Sequence, residues 1–473
     1  MEPPPVHDLP PTLLEAIHAA GQEHVLRYWP MLSRLERAHL LDQLMTLDWR
    51  GLGELRRLAS AARSASAAAG VPFDLDSAST PPCHRLGGAG GAEAAAAGRE
   101  ALAGGLFGAV IVAGGQGSRL GCHGPKGAVE IGPLSGDSLF DVLLGKLRGI
   151  RRRYGRPVPL AIMTSSSTEA DTRAWLADHD HGGLAPGDVM VFRQRDLPAL
   201  DDHGASLLLD APGTIAMAPD GHGGMLPALV DAGGLDWFAE RGVRHVVSFQ
   251  VDNPLTMPLH PEFIGHHLIH DAEFSTQVIR KQQPGERVGV VATSGGRYFV
   301  IEYSDLPSAL AAERESDGRL RFHAGSIAVH AFALDFLRRA AASPVPLPLH
   351  LAHKAVPHLD SAGDRVVPRE PNAIKFERFI FDLMPLAERV CVVEIDAADG
   401  FAPLKNPPGA AADTLAHVHA AMEAHARRLL ARAGIDVAAG VRVELAPSIL
   451  DEQDVAAILP AGTRIGRDTI IGG

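Results

Sequence analysis

GAVIVAGGQGSRLGCHGPKGAVEIG, at residues 108–132, joins a strand-like run to a glycine-rich loop and decides the fold of this chain. The apolar residues 109–113 predict a central strand of a parallel sheet that is covered on both faces. The glycines that follow let the backbone turn with positive φ and bring its N–H groups close to a ligand. Arg119 and Lys126 add positive charge beside this loop. The stretch therefore predicts a site for an anionic ligand, and a nucleotide suits it.

The spacing of the loop excludes the two commonest nucleotide motifs. A dinucleotide fingerprint fails because Leu120 stands where its last glycine belongs, and Gly-Lys-Ser/Thr occurs nowhere in the chain. A glycine turn alone is also compatible with an ordinary βα turn. The longer string GGQGSRLG at residues 114–121, followed by PKG at 125–127, is more specific. It resembles the signature of the UDP-N-acetylhexosamine pyrophosphorylases, nucleotidyltransferases that make UDP-sugars.

This resemblance implies an α/β fold: a Rossmann-like, GT-A-like nucleotidyltransferase with a mixed sheet and flanking helices. A helical region would precede the sheet, and a small β-containing region would follow it. The resemblance also implies that Ala113, Gly114 and Gly115 bind the nucleotide.

Composition limits the partners of the protein. The 473 residues are 46% hydrophobic and 21% charged, as in a folded globular protein of two or three domains. The net charge of −12 argues against nucleic acid or an anionic membrane as the main partner. Nothing in the sequence sets the oligomeric state.

The cysteines and the N-terminal residues indicate a cytoplasmic protein. Cys83, Cys122 and Cys391 are widely spaced and lack C-x-x-C, which is typical of a reducing compartment. Cys122 lies in the key loop, but no Cys/His/Asn set supports a catalytic thiol. No signal peptide or run of roughly 20 apolar residues is visible.

Four regions are predicted along the chain. Residues 1–58 carry apolar positions at helical spacing, and residues 19–44 resemble the helical region of the same family. Residues 59–105 are rich in Ala, Ser and Gly and predict a connector with patches of weak helix. The catalytic domain is placed at 106–390 and a C-terminal region at 391–473.

Strands alternate with helices after the loop, which predicts a parallel sheet with its ligands at the carboxyl ends of the strands. The predicted helices are 138–153, 168–177, 226–241 and 261–271, and the predicted strands are 158–163, 189–192 and 243–251.

Two motifs concern the nucleotide, and the first directly follows the strand predicted at 189–192. Gln194 begins a Q-x-x-L-P-A-like string, and its amide offers a donor and an acceptor for a uracil edge. MAPDGHGG at residues 217–224 resembles the family's M-A-P-D-G-N-G-G loop, which implies that Gly221 lines the nucleotide and His222 the sugar. A solvated loop residue and a turn before a helix, with Asp220 as cap, are the alternatives.

Asp252 follows the strand predicted at 243–251, in a V-D-N string that matches the family. A carboxylate at that position is suited to hold Mg²⁺, which completes its shell with waters and phosphate oxygens. An ordinary turn residue is the alternative. The helix predicted at 261–271 carries His266, His267 and His270, a set of residue types that zinc sites use. Without H-E-x-x-H or a cysteine partner, ordinary helical histidines are favoured.

The sugar site is predicted on a hairpin of residues 288–291 and 298–305. Its second strand resembles the family's V-V-E-Y-S-E, which implies that Glu302 and Tyr303 face the sugar; an edge hairpin in water is the alternative. FHAGSIA at residues 322–328 resembles F-N-A-G-N-I-A, with His323 and Ser326 in place of both asparagines. Together with His222, these changes leave the sugar open.

Lysine is scarce in this chain, and the six lysines among 44 basic residues are Lys126, Lys146, Lys281, Lys354, Lys375 and Lys405. NAIKFE at 372–377 and FAPLKN at 401–406 resemble family strings whose lysines contact phosphates. Lys375 and Lys405 are therefore predicted as catalytic beside Arg119 and Lys126, and surface lysines are the alternative. Lys146 lies outside these motifs and is expected to be replaceable.

The resemblance implies a uridylyltransferase that forms a UDP-sugar and pyrophosphate from UTP and a sugar 1-phosphate, with N-acetylglucosamine 1-phosphate as the expected sugar and Mg²⁺ as cofactor. One alternative is a UDP-glucose, UDP-galactose or broad-specificity pyrophosphorylase. The other is a catalytically silent nucleotide-binding homologue.

Overall fold

The computed structural model describes residues 9–64, 74–117, 120–122 and 124–472. The chain forms two compact units, each assembled from three segments. The first unit comprises Met1–Val71, Arg195–Gly224 and Leu347–Ile380; the second comprises Pro72–Gln194, Met225–Pro346 and Phe381–Gly473. The region boundaries expected at residues 58, 105 and 390 stay a prediction.

A large mixed sheet forms the centre of the second unit. The strands of its main path, in spatial order, are His84–Arg85, Val390–Glu394, Phe274–Arg280, Ala324–Ala333, His245–Gln250, Phe107–Val112, Leu160–Thr164 and Val189–Arg193. Along this path Ala324–Ala333 is antiparallel to both neighbours, and the other pairs are parallel. The strands predicted at 109–113, 158–163, 189–192 and 243–251 are confirmed within two residues at each end.

The central strands are continuous apolar runs because both faces of the sheet are covered. Every residue of Phe107–Val112 and Leu160–Thr164 is buried. The helices of this unit are Gly91–Ala103, Leu139–Tyr154, Glu169–Asp178, Met225–Asp231, Gly234–Glu240, Pro261–Ile269, Ser308–Ala312, Leu334–Ala341, Ala397–Gly400, Leu415–Arg432 and Glu452–Ile458. The mixed sheet and its helices confirm the predicted α/β class.

Local sequence signals account for where the helices begin and end. Ser138 caps Leu139–Tyr154 through a capping box with Asp141, and Gly155 ends that helix in the left-handed conformation. The single helix predicted at 226–241 is wrong, because the chain forms two helices there. Gly233 lies between them with φ +70°, a conformation that favours glycine and interrupts a helix.

The predicted hairpin is confirmed with shifted bounds: Val290–Ser294 pairs with Arg297–Ile301 and joins the large sheet through Val290 and Gly325. Gly295 and Gly296 make its turn with positive φ. The second strand ends at Ile301, so Glu302 and Tyr303 follow it rather than lie within it. Near the C-terminus, short parallel pairs join Asp436–Val437 to Arg464–Ile465 and Val443–Leu445 to Thr469–Ile471.

The first unit packs helices against small sheets. Its helices Pro11–Ala19, Arg34–Thr46 and Trp49–Ser64 confirm the predicted helical region. Their buried leucines form one apolar core with strand residues such as Leu200 and Phe376. The strands of this unit are Asp196–Pro198, Leu200–Asp201, Leu209–Ala211, Thr214–Ile215, Met217–Pro219, His350–Lys354, His358–Leu359, Arg365–Val366 and Ala373–Glu377.

Among the residues described, no helix combines the length and the apolar character needed to cross a lipid bilayer.

Candidate active site

The glycine loop of the second unit begins where strand Phe107–Val112 ends. The two ends of this loop lie side by side, since Gln116 and Pro125 form an antiparallel bridge and the Lys126 N–H donates to the Gly115 carbonyl at 3.1 Å. Among the described residues, a Cβ atom added to Gly115 would have no neighbour within 4 Å. The backbone at Gly115 therefore faces open space, as a backbone that receives a ligand must.

Asp252 lies at the same edge of the sheet as this loop. Strand His245–Gln250 runs parallel to Phe107–Val112, with Gln250 opposite Val112, so their carboxyl ends meet. The Lys126 ammonium donates to Asp252 Oδ2 at 3.0 Å, and the two side chains are only 15% and 17% exposed. The structure thus pairs two predicted site residues that are 126 positions apart.

The Asp252 backbone also fixes the segment that carries Lys405. The Leu404 N–H donates to the Asp252 carbonyl at 2.8 Å. Lys405 itself is exposed, and its ammonium lies 5.7 Å from the centre of the Phe401 ring. The Lys405 segment is therefore held beside the Asp252 strand end, with the ammonium exposed.

Gln194 directly follows strand Val189–Arg193 and is 5% exposed. Its N–H donates to the Thr164 carbonyl at 2.9 Å, which anchors it to the neighbouring strand end. A Cβ atom at Gly114 would come within 2.4 Å of Gln194 Nε2, so only glycine leaves room for this amide. Within the described residues, the buried Gln194 Oε1 atom has no hydrogen-bond partner. A buried amide oxygen without a partner is costly, so a ligand donor at this position would be favourable.

Glu302 and Ser326, two predicted sugar contacts, both adjoin Gly289 in the second unit. The Ser326 N–H donates to the Gly289 carbonyl at 2.8 Å. A Cβ atom at Gly289 would come within 2.8 Å of Glu302 Oε1. Tyr303, the next residue, is 50% exposed and offers its ring to solvent or a ligand.

The second glycine loop, residues 217–224, belongs to the first unit and is packed against protein. The Gly223 N–H donates to the Arg378 carbonyl at 2.8 Å, and the Arg378 N–H donates to the Asp220 carbonyl at 2.6 Å. Asp220 is fully buried, and its carboxylate lies 3.3 Å from the Arg378 guanidinium. Burial raises the pKa of Asp220 to about 6, against the opposing effect of Arg378.

His222 is held as a neutral imidazole in this loop. Burial lowers the pKa of His222 to about 4. Its Nδ1 atom accepts the Ile380 N–H at 3.1 Å, and its ring stacks on Phe379 with the ring centres 5.2 Å apart. Lys375 lies on strand Ala373–Glu377 of the same unit, opposite Ala352.

A family model described as UTP–glucose-1-phosphate uridylyltransferase matches residues 106–444. The chain belongs to this family. It is therefore a nucleotidyltransferase, an enzyme of UDP-sugar formation, as the loop at residues 114–127 predicts.

Two relatives show how far the likeness extends. UDP-N-acetylhexosamine pyrophosphorylase-like protein 1 of Xenopus tropicalis is 38% identical over 84% of this chain and 80% of its own length. UDP-N-acetylglucosamine pyrophosphorylase of Saccharomyces cerevisiae is 33% identical over 91% of this chain and 93% of its own. The solved UDP-N-acetylglucosamine pyrophosphorylase of Trypanosoma brucei, 24% identical, superposes with a TM-score of 0.78 over 97% of this chain and 98% of its own. That structure supports the predicted nucleotidyltransferase fold.

The site residues divide between the two units of this uridylyltransferase. The second unit brings together Gly114, Gln194, Lys126, Asp252 and the Lys405 segment, and it carries Ala113, Gly115, Glu302, Tyr303 and Ser326 as well. The first unit carries Gly221, His222 and Lys375. Arg119 lies outside the described residues.

Lys146 is a positioning residue that the sequence did not reveal. It lies on helix Leu139–Tyr154, as predicted, but its ammonium is buried and donates to the carbonyls of Pro254 and, at 2.8 Å, Thr256. Burial lowers the pKa of Lys146 to about 7. These carbonyls follow Asp252 closely in the chain, so Lys146 braces the segment behind the predicted metal ligand. The expectation that Lys146→Ala is close to neutral stays a prediction, and these two hydrogen bonds argue against it. No motif or spacing in the sequence indicates that Lys146 contacts a carbonyl 108 residues away.

Proposed function

We propose that this protein transfers the uridylyl group of UTP to N-acetylglucosamine 1-phosphate and releases pyrophosphate. The observation that carries the proposal is the carboxyl edge of the parallel strands in the second unit. Three features of the described residues meet there: an open glycine backbone, a buried amide oxygen without a hydrogen-bond partner, and a lysine–aspartate pair. They suit a phosphate chain, the edge of a base and a counter-charge. The names of the two relatives support N-acetylglucosamine 1-phosphate as the sugar substrate.

The reaction is an in-line displacement. A phosphate oxygen of the sugar 1-phosphate attacks the α-phosphorus of UTP and forms the new P–O bond. The bond from the α-phosphorus to the bridging oxygen breaks, and that electron pair leaves with pyrophosphate. Because a phosphate monoester dianion is already nucleophilic at neutral pH, the chain needs no general base and no covalent intermediate.

The lysines and Arg119 are proposed to hold the phosphates and offset their charge. Lys126, with Arg119, would stabilise the departing pyrophosphate, while Lys405 would keep the reacting phosphates in line. Lys375 of the first unit stays a predicted phosphate-contacting lysine. Gln194 would read the uracil edge through its Oε1 and Nε2 atoms, with Ala113, Gly114 and Gly115 lining the nucleotide.

Asp252 is proposed as the protein ligand of Mg²⁺. Its carboxylate is partly exposed at a strand end, beside the open loop and one lysine. A single carboxylate fits Mg²⁺, which usually keeps several waters and binds substrate phosphates for the rest of its shell. When bound, Mg²⁺ would neutralise phosphate charge; Lys126 and Asp252 would orient the groups around it.

A second candidate function is that of a related uridylyltransferase that uses glucose or galactose 1-phosphate. The observation that favours it is His222, whose ring is stacked and hydrogen-bonded where the family motif carries asparagine. An aromatic imidazole presents a different edge to a sugar than a primary amide does. Gly221, Glu302, Tyr303 and Ser326 would complete the nucleotide and sugar contacts in either case.

The test is to incubate the purified chain with UTP, Mg²⁺ and N-acetylglucosamine, glucose or galactose 1-phosphate, and to measure pyrophosphate release. We expect the N-acetylglucosamine ester to react fastest, and UTP to be used well ahead of CTP. Faster reaction with glucose or galactose 1-phosphate would favour the second candidate. No pyrophosphate with any ester would indicate a silent nucleotide-binding homologue, and equal rates with CTP would remove Gln194 from base recognition.

We also propose a cytoplasmic location, which the free thiols of Cys83, Cys122 and Cys391 support.

A further inference from the structure

Three histidines from distant parts of the chain meet at one end of the helix Pro261–Ile269 in the second unit. His84 lies on the short strand His84–Arg85, whose neighbour in the sheet is Val390–Glu394. His266 and His270 are one helical turn apart, so they project on the same side of the helix. We call these residues the three-histidine cluster. None of them has a part in the proposed uridylyl transfer.

The imidazoles of this cluster are close enough to share one ligand. One ring nitrogen from each histidine lies within 4.8 Å of those of the other two. The His84 ring stacks on both partners, with ring centres 4.7 Å from His266 and 4.3 Å from His270. Ligands around a tetrahedral zinc ion are roughly 3.3 Å apart, as follows from Zn–N bonds of about 2.0–2.1 Å. The three ring planes are nearly parallel, at 22°, 28° and 11° to one another, so His84 and His270, the less buried rings, must turn for the nitrogens to converge on one ion.

His266 is the most buried histidine of the cluster, and one of its ring nitrogens lacks a hydrogen bond within the described residues. His266 is 3% exposed, and within the described part of the chain its Nε2 atom has no hydrogen bond. The nearest carboxylate oxygen, Glu262 Oε1, is 3.9 Å from that nitrogen and accepts the Gly87 N–H at 2.7 Å instead. An unpartnered buried ring nitrogen is unfavourable. A metal ion bound at Nε2 would satisfy it.

The backbone around the cluster is held rigidly. A Cβ atom at Gly98 would come within 1.8 Å of the Pro261 carbonyl oxygen, and one at Gly265 within 1.6 Å of the Ala94 carbonyl oxygen. Helices Gly91–Ala103 and Pro261–Ile269 therefore touch backbone to backbone. A rigid scaffold fixes two of the ligands before any metal arrives, which lowers the entropic cost of binding.

We propose that the three-histidine cluster binds a divalent transition metal of the zinc class. Three imidazole nitrogens suit Zn²⁺, Co²⁺, Ni²⁺ and Cu²⁺, whereas Mg²⁺ prefers oxygen ligands. The fourth position would be taken by water or, after a small movement, by Glu262. The bound ion ties the strand at His84 to the end of helix Pro261–Ile269 and stabilises the second unit.

The test uses the full chain without a histidine tag, cleared of metal by chelation and kept in excess Mg²⁺. Calorimetry with Zn²⁺ measures the stoichiometry, the visible spectrum with Co²⁺ reports the ligand geometry, and thermal unfolding reports stabilisation. We expect one Zn²⁺ per chain, visible Co²⁺ absorption bands of a tetrahedral nitrogen-rich site, and a higher Tm with Zn²⁺.

The variant His270→Ala decides the outcome, because His270 is exposed and its loss leaves no core cavity. We expect Zn²⁺ affinity to fall by at least about 100-fold in His270→Ala and in His84→Ala. The matched control is His18→Ala, since the His18 side chain is also helical and is 83% exposed. Asp252→Asn should keep the Zn²⁺ site, which separates it from the Mg²⁺ proposal. Absence of stoichiometric Zn²⁺ binding, or equal affinity in His270→Ala, would show that the cluster is only a packed histidine stack.

Discussion

The two glycine loops look alike in sequence and differ in structure. In the loop at residues 114–127, Gly115 has open space where its Cβ atom would be. In the loop at residues 217–224, a Cβ atom at Gly223 would lie 2.6 Å from the backbone of Arg378 and Phe379. Glycine would serve the proposed ligand access in the first loop, whereas it permits close backbone packing in the second. A glycine-rich string therefore marks a close approach, but the approaching group can be a ligand or the protein itself.

Residues around the open loop should affect catalysis more than stability, because they line the proposed nucleotide site. Residues of the packed loop should affect stability first, because they face protein.

The largest effect is expected from Asp252→Asn in the open region. The substitution keeps the volume of the side chain but removes the anionic partner of Lys126 and the proposed Mg²⁺ ligand. We expect kcat to fall by about 10³-fold, roughly 4 kcal/mol, with little change in Tm. Pyrophosphate release and thermal unfolding of the purified variant measure both. Near-normal kcat would remove Asp252 from the site.

Lys405→Ala should follow in size. If the ammonium neutralises phosphate during transfer, kcat/KM should fall by about 10²- to 10³-fold, on the order of 3–4 kcal/mol. Tm should change little because Lys405 is exposed. Lys405→Arg should restore only part of the rate, since the guanidinium is wider. Lys354→Ala is the matched control because Lys354 is also exposed and lies outside the matched motifs; identical kinetics in the two alanine variants would end the assignment of Lys405.

Gly115→Ala tests the open loop directly. The backbone there needs no positive φ, so the new methyl group should leave Tm unchanged or slightly raised. The methyl group would occupy the space that a nucleotide needs, and we expect kcat/KM for UTP to fall by about 10- to 100-fold. Steady-state kinetics at varied UTP give the result. Unaltered kinetics would mean that no ligand approaches Gly115.

Gly223→Ala is the matched substitution in the packed loop, since Gly223 also lacks positive φ. Here the methyl group would meet backbone atoms at 2.6 Å, which cannot rotate away. We expect a loss of about 2 kcal/mol in the free energy of unfolding, measured by denaturant titration. If Gly223→Ala proved as stable as Gly115→Ala, the contrast between the two loops would fail.

The smallest effect concerns the pH dependence of stability at His222. Its folded pKa of about 4 lies below its ordinary value of 6.5, so between these pH values the unfolded chain binds a proton that the folded chain does not. Stability from His222 is therefore present above pH 6.5 and is lost as pH falls towards 4. The raised pKa of Asp220 acts in the opposite direction over part of this window.

The variant His222→Asn isolates the histidine contribution. We expect the stability of the natural protein relative to this variant to decrease by up to about 2 kcal/mol from pH 8 to pH 5. Denaturant titrations of both proteins at the two pH values measure this difference. A constant difference would show that His222 is not held neutral by burial.

The sequence by itself determined the sheet and its ligand-bearing edge. Continuous apolar runs such as residues 109–113 specify buried parallel strands, and the residues that follow them, Gln194 and Asp252, fall where parallel strands end together. The local motif at residues 114–127 indicated the family because its glycines and charges must stand in a fixed order. These features depend on neighbours in the chain, so a single sequence records them.

Only the tertiary structure decided which residues meet across long separations. The pairing of Lys126 with Asp252, the burial of Lys146 and the meeting of His84 with His266 and His270 depend on how the strands and helices pack. Packing also distinguishes the two glycine loops, since the Cβ position is open at Gly115 and lies against backbone atoms at Gly223. Such contacts leave no periodicity or spacing in the chain, because packing sets them after the local elements have formed.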